Sequence, residues 1–484
     1  MTSTTATGLA YLSAGEALDA FRKLECSPRD VLEAQISEID ARNGDTTTGI
    51  NAFTETMFDT ARSAARHAEN EYARCAADGE TPPALLGLTV ATKEKHGIAG
   101  HRLEYGLEAK RGHLADGDHP VVQRIRAAGG IIHGRTTSPE FSCATVTHSP
   151  MWGVTRNPWN PQTSPGGSSG GAGAALAAGF TTLATASDIA GSTRIPAGFT
   201  GVVGYKAPFG RVPGLPPLAA DWYRGDGPMG RTVADVALLA AVMSGRHPVD
   251  HDSWGPNGRP IDFGGGVAGL RIVLSVRLGD YPVAPEIVAN TRAVGDALAA
   301  AGAEVVDVDL PWTTELIRET SFAHFGHILG PAVAREIAGT EDRVSAYLRR
   351  IIADAGAAAQ RYSLVDSLAM DARMRGDLAA AMDGADVLLC PTSAVTSLSA
   401  DGDYLDGIDT PERHLTHYWE SHMTVPFNVA NACPVLSVPS GMSDEGVPTG
   451  VQVVGHPNDE AMVFRVAQAI ESVPGLLPAY PGRD

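Results

Sequence analysis

Apolar and polar positions along this chain follow two periods, one suited to helices and one to short buried strands. Val31, Leu32, Ile36 and Ile39 fall on one face with charges opposite, which predicts a core-packed helix over 28–42. Its start is marked by Ser27-Pro28-Arg29-Asp30, a cap followed by proline at the first helical position and an acid in the first turn. Ser13-Ala14-Gly15-Glu16 has capping-box form and opens a helix over 14–23, and a third amphipathic helix over 57–77 ends in the loop 78–83. These elements make residues 1–80 a set of N-terminal helices packing on the rest. Leu85 to Lys93 then reads as a short strand that finishes on a lysine.

Beyond that point helix and strand patterns alternate. A helix over 119–130 precedes a strand over 131–134, and the same order recurs at 170–179 with 182–186, 232–244 with 270–275, and 284–302 with 303–308. Further strands are predicted at 386–390, 434–439 and 450–454, with a last helix at 459–472. Such an order predicts an α/β sandwich with a large sheet between helical layers. Residues 312–382 read as mostly helical, with Phe322, Phe325 and Tyr347 as apolar anchors, and form a candidate substrate-shaping region. The Pro/Gly-rich segments 207–228 and 255–267 read as long surface connections, so the expectation is one compact domain over 1–484.

Composition narrows the function classes. The chain has 484 residues, 43% of them hydrophobic, enough for a sizeable core, and a formal net charge of −19. That charge disfavours nucleic acid and anionic membrane as partners, because no basic patch offsets it. Five scattered cysteines without a Cys-x-x-Cys fit a reducing compartment, and the first residues lack a basic and apolar leader, so a cytoplasmic location is expected.

The chemistry concentrates in Pro165-Gly166-Gly167-Ser168-Ser169-Gly170-Gly171 and Asp188-Ile189-Ala190-Gly191-Ser192-Thr193-Arg194-Ile195-Pro196. Glycines let backbone approach a reacting atom, so such clusters present a hydroxyl among exposed N–H donors, as acyl transfer requires. Gly/Ser runs are often linkers, but the small-residue helix and buried strand that follow do not suit one. A nucleophile elbow is ruled out by the polar, proline-broken segment 157–165 before Ser168, and a phosphate loop by Ala172-Gly173 where Lys-Ser/Thr is needed. Among fifteen histidines, His324 and His327 share a helix face without accompanying carboxylates, so no metal site is expected. Lys93 by itself reads as a surface lysine that begins a turn.

Together these motifs resemble the amidase signature family. The resemblance rests on Gly-Gly-Ser-Ser-Gly-Gly, on Asp188 to Pro196 and on Lys93 at a strand end. It extends to Asn51-Ala52-Phe53, 153–159, Gly227-Pro228-Met229-Gly230-Arg231-Thr232, 434–439 and Thr449 to Gln452, nearly the whole chain. It implies a single α/β/α domain around a large mixed sheet and a Ser–cisSer–Lys triad, with Ser192 as nucleophile, Ser168 as bridge and Lys93 as base. It also implies an oxyanion hole from the backbone N–H groups of Ile189, Ala190, Gly191 and Ser192. Ser169, Asp188 and Arg194 take supporting roles, Lys95 becomes a solvated neighbour, and no cofactor is required.

Two departures stand out. Ala190 occupies the place of the first of two usual glycines, where a positive φ would strain an alanine, and Glu94-Lys95-His96 follows Lys93 where the family usually has Asp-Asn. The expected activity is hydrolysis of a small, largely uncharged amide, with carbamate (urethane) or ester cleavage on the same triad as the alternative. A further alternative is the glutamine-hydrolysing subunit of a tRNA-dependent amidotransferase, and a homodimer is left open. Trp152, Trp222 and Tyr223 could form an apolar aryl or alkyl pocket or serve as packing residues.

Overall fold

A computed structural model describes residues 6–44 and 48–483. Its centre is an eleven-stranded sheet. In chain order the strands are β1 (Phe53–Thr56), β2 (Thr89–Lys93), β3 (Ile131–Thr136), β4 (Leu183–Asp188), β5 (Val203–Lys206), β6 (Gly225–Gly230), β7 (Arg271–Leu274), β8 (Glu304–Asp307), β9 (Val387–Pro391), β10 (Val435–Met442) and β11 (Pro448–Gly455). Across the sheet they run β1-β3-β2-β4-β6-β5-β10-β11-β9-β7-β8. β2 is parallel to β3 and β4, and β9 to β7, whereas β4, β6, β5, β10 and β11 pair antiparallel in turn, so the sheet is mixed as expected.

The N-terminal helices form where their local signals place them. Both Ser13 with Glu16 and Ser27 with Asp30 make reciprocal capping boxes, over helices Ala14–Arg22 and Pro28–Arg42. One apolar layer joins Leu18, Phe21 and Tyr72 to sheet residues and to Val236, Leu298 and Phe464 of later helices. The other face is covered by Gly170–Ala177 and Arg194–Thr200 and by the helices within 312–382, where Phe322, Phe325 and Tyr347 are buried as anchors. Among the described residues no helix is long and apolar enough to cross a membrane.

The segment 207–228 departs from its reading as a surface connection. Its end, with the glycines and proline of Gly225–Gly230, is a buried central strand between β4 and β5. Glycine is needed there because a Cβ on Gly227 would collide with the Tyr205 backbone of the neighbouring strand.

Candidate active site

β2 and β4 lie side by side and parallel, so their C-terminal ends bring Lys93 together with Ser187 and Asp188. The loop after β4 carries Ser192 into helix Arg194–Thr200, and the loop before helix Gly170–Ala177 carries Ser168 and Ser169 to the same place. The Ser169 N–H donates to the Ser192 carbonyl at 3.1 Å, which ties the two loops together. The Gly167–Ser168 peptide is cis. Gly167 packs so closely on the preceding loop that a Cβ would lie 2.7 Å from the Thr145 carbonyl carbon.

Lys93 is wholly buried, so the sequence reading as a surface residue does not hold. Its Nζ lies 2.6 Å from Ser168 Oγ, 2.9 Å from Ser169 Oγ and 3.1 Å from Ser187 Oγ. Burial, and then the positive charge of Lys95, push its pKa well below the ordinary lysine value. A neutral amine donates twice and accepts once, which matches three hydroxyl partners. Ser169 Oγ donates to the Ser187 carbonyl at 3.4 Å and therefore accepts from Lys93. In its neutral state, with Ser187 as the second acceptor, the amine would turn its lone pair toward Ser168 Oγ.

Ser192 lines a narrow cleft with Ser168, Phe141, Cys143, Ile189 and Leu329. Around it Asp188 and Arg194 form a buried frame. Asp188 accepts from the Gly191 and Thr193 N–H groups at 2.7 and 3.2 Å, from Asn428 at 2.9 Å and from Arg194 at 2.9 and 3.0 Å. Burial alone would raise this carboxyl, but the Arg194 guanidinium and these bonds outweigh it and bring it to about 2. Arg194 also donates to the Thr424 carbonyl and Gln452 Oε1, both at 2.8 Å.

This frame divides the four expected oxyanion donors. The Gly191 N–H is already given to Asp188. Those of Ile189, Ala190 and Ser192 have no hydrogen-bond partner among the described residues. Ala190 is not among the residues with positive φ, so the strain anticipated for an alanine here is absent; Gly191, with φ of 117°, is where glycine is required.

Lys95 is not solvated: its side chain is only 14% exposed and pairs with Asp226 at 2.9 Å. Tyr223 is buried, stacks on His324 at 3.6 Å between ring centroids and donates its hydroxyl to Asp371. Trp222 donates to the same carboxylate at 3.0 Å, and Trp152 packs near Gly106. None of the three lines the Ser192 cleft; its aromatic wall is Phe141, which stands beside Tyr105.

No motif or spacing marked a cluster in which His96, His119 and Asp226 bring potential metal-ligating atoms within 4.8 Å of one another. The Asp226 carboxylate in it is held by Lys95, with His96 Nε2 at 3.2 Å and His119 Nε2 at 3.5 Å. Burial would raise Asp226, yet Lys95 and His96 hold it well below the usual carboxylate range. The His119 Nδ1 accepts the Val121 N–H, which leaves the proton on Nε2, facing Asp226. The arrangement therefore reads as an ion pair, flanked by two histidines, that gives the Lys95 charge a counter-ion two residues from Lys93.

The sequence model of the amidase family matches residues 30–464. The chain is 34% identical over 485 residues to 6-aminohexanoate-cyclic-dimer hydrolase of Pseudomonas sp. (strain NK87), a match spanning 94% of this chain and 93% of that one. It is 30% identical over 496 residues to a glutamyl-tRNA(Gln) amidotransferase subunit of Synechococcus sp. (strain WH7803), spanning 94% and 96%. In structure it matches a bacterial aryl acylamidase of the amidase signature family with a TM-score of 0.85 and 26% identity, over 98% and 97% of the two chains.

Proposed function

The chain belongs to the amidase signature family of hydrolases acting on carbon–nitrogen bonds, and we propose that it cleaves a small amide through an acyl-enzyme on Ser192. The observation that carries this reading is the Lys93 amine, closed off from water and 2.6 Å from Ser168 Oγ. Ser192 Oγ attacks the amide carbon as its proton passes to Ser168, whose own proton passes to Lys93. The carbonyl oxygen becomes an oxyanion facing the unengaged N–H groups of Ile189, Ala190 and Ser192. As the carbon–nitrogen bond breaks, the relay returns a proton to the departing nitrogen and the amine leaves. Water then attacks the ester, losing its proton into the same relay, and Ser192 recovers its proton as the acid is released.

Asp188 and Arg194 hold the nucleophile loop, while Ser169 and Ser187 occupy the two amine protons and so aim the lone pair at Ser168. The region 312–382 shapes the substrate site, since Leu329 reaches the cleft. The continuous sheet supports a single domain. Carbamates and esters fit the same acyl-enzyme, and a panel of acyl-anilides, primary amides, carbamates and esters ranks them by product release. Likeness to the amidotransferase protein supports a second reading, glutamine hydrolysis within a larger complex; turnover by the purified chain alone on anilides counts against it. The assignment itself is tested by mass spectrometry of a trapped intermediate: an adduct on Ser192 is expected, and one on Ser168 would exchange the two roles.

A further inference from the structure

Beside the Ser192 cleft lies a larger cavity of about 310 Å³, and Arg224, Phe141 and Ser142 line both. The cavity is partly apolar, with Val212, Leu215 and Pro216 in its wall. Its acidic groups are already engaged. Asp226 is paired with Lys95 at 2.9 Å and Glu336 with Lys110 at 2.5 Å, and Asp250 accepts the Gly214 and Asp252 N–H groups at 2.8 and 3.2 Å.

Arg224 is different. Its backbone is fixed, the N–H donating to the Asp221 carbonyl at 2.9 Å and the carbonyl accepting from Asn431 at 3.2 Å. Its side chain is half-buried, its Nε is shielded from water without a hydrogen bond, and no carboxylate among the described residues pairs with the guanidinium. A half-buried cation with an unmatched donor is costly unless an anion completes it. The planar guanidinium fork suits a carboxylate.

We propose that Arg224 binds a carboxylate of the substrate, so that the amide cleaved at this site carries an apolar arm ending in that group. The arm lies in the cavity while the scissile carbonyl meets Ser192. This rests on the amidase reading above and narrows it, replacing an uncharged amide with a carboxylate-bearing one.

The test uses matched anilides on the purified full chain, read by amine release. Glutaranilic acid against hexananilide places the carboxylate on the acyl side, and 4-butyramidobenzoate against 4-methylbutyranilide places it on the amine side. One charged member is expected to exceed its neutral match in kcat/KM by tenfold or more. Arg224→Gln should lower that ratio by one to two orders of magnitude, chiefly through KM, with Arg224→Lys retaining part of it. Fluorophosphonate labelling of Ser192 shows which variants have an assembled site; if the glutamine variant is not labelled, the lysine variant's ratio decides. Equal rates within both pairs, or a ratio untouched by the substitution, would overturn the proposal. No amine from any of the four, with Ser192 unlabelled in the unmodified chain, would overturn the amidase reading and this inference with it.

Discussion

Thr424 donates its hydroxyl to the Ala190 carbonyl at 2.7 Å, and the same side chain fills the space that a Cβ on Gly191 would need. Such a Cβ would lie 2.6 Å from Thr424 Cβ, at a φ of 117° that non-glycine residues rarely adopt. Gly191→Ala is therefore expected to cost about 2–4 kcal/mol, from backbone strain and overpacking. It should also slow acylation of Ser192 by about a hundredfold or more, since displacing the loop misplaces the proposed nucleophile. Denaturant unfolding and the rate of fluorophosphonate labelling measure the two effects, and an unchanged labelling rate would mean that the loop tolerates the shift.

Ala190, by contrast, is 4% exposed, packs in the core and has no positive φ to relieve. Ala190→Gly should destabilise the protein by about 1 kcal/mol through lost burial and added chain freedom. A higher unfolding midpoint in this variant would contradict the unstrained backbone described above.

The parts of this fold that could be read in advance are those whose causes are local. Helix Pro28–Arg42 carries its own cap, proline and apolar stripe, and it starts and stops as read. β6 does not, because Gly225–Gly230 has the composition of a turn and becomes a strand only through the close approach of β5. The site divides the same way. Lys93, Ser168 and Ser192 were legible as a motif, and the two loops and the strand end do bring the first two within hydrogen-bond reach. Lys95 looked solvated because its partner Asp226 is distant in sequence and lies on the strand that was missed. Phe141 and Arg224 carry no local mark; only the folded cleft gives them a place.

Lys95 and Asp226 should behave as one unit. Lys95→Met leaves the Asp226 carboxylate buried beside two histidines whose pKa values burial holds down, and should cost about 3–5 kcal/mol. Asp226→Asn leaves the lysine without its counter-ion and should cost a similar amount. The double variant is expected to be far closer to the parent than the sum of the two, as read from denaturant midpoints. Strict additivity would show that the pair is not what holds either charge in place.

Glu94 gives the stability a pH dependence of opposite sign to the usual carboxylate. Burial raises its carboxyl to about 7, against an unfolded value near 4.5. Between those values the folded protein holds a proton that the unfolded chain has lost, so stability falls as pH rises through that window. The loss is on the order of 3 kcal/mol at most. Glu94→Gln keeps an acceptor for the Tyr105 N–H, which Glu94 accepts at 3.1 Å, and removes the titration. The difference in unfolding free energy between parent and variant should therefore shift in the variant's favour from pH 4.5 to pH 8; a constant difference would place Glu94 outside the titrating groups.

Lys93 can take the Ser168 proton only when its amine is neutral, and burial with the Lys95 charge nearby brings that state within reach by lowering its pKa. Protonation fills the lone pair, so acylation should fall as pH drops through the lowered value and level off above it. Lys93→Ala removes the acceptor and Ser168→Ala removes the hydroxyl that hands it a proton, so each should cost several orders of magnitude in kcat/KM. In the proposed relay the two act as one unit, so the double variant should be little slower than either single one, and the acid limb of the pH profile should vanish from all three. If the two losses multiplied instead, Lys93 and Ser168 would be working independently, and the 2.6 Å contact between them would be a packing contact rather than a path for the proton.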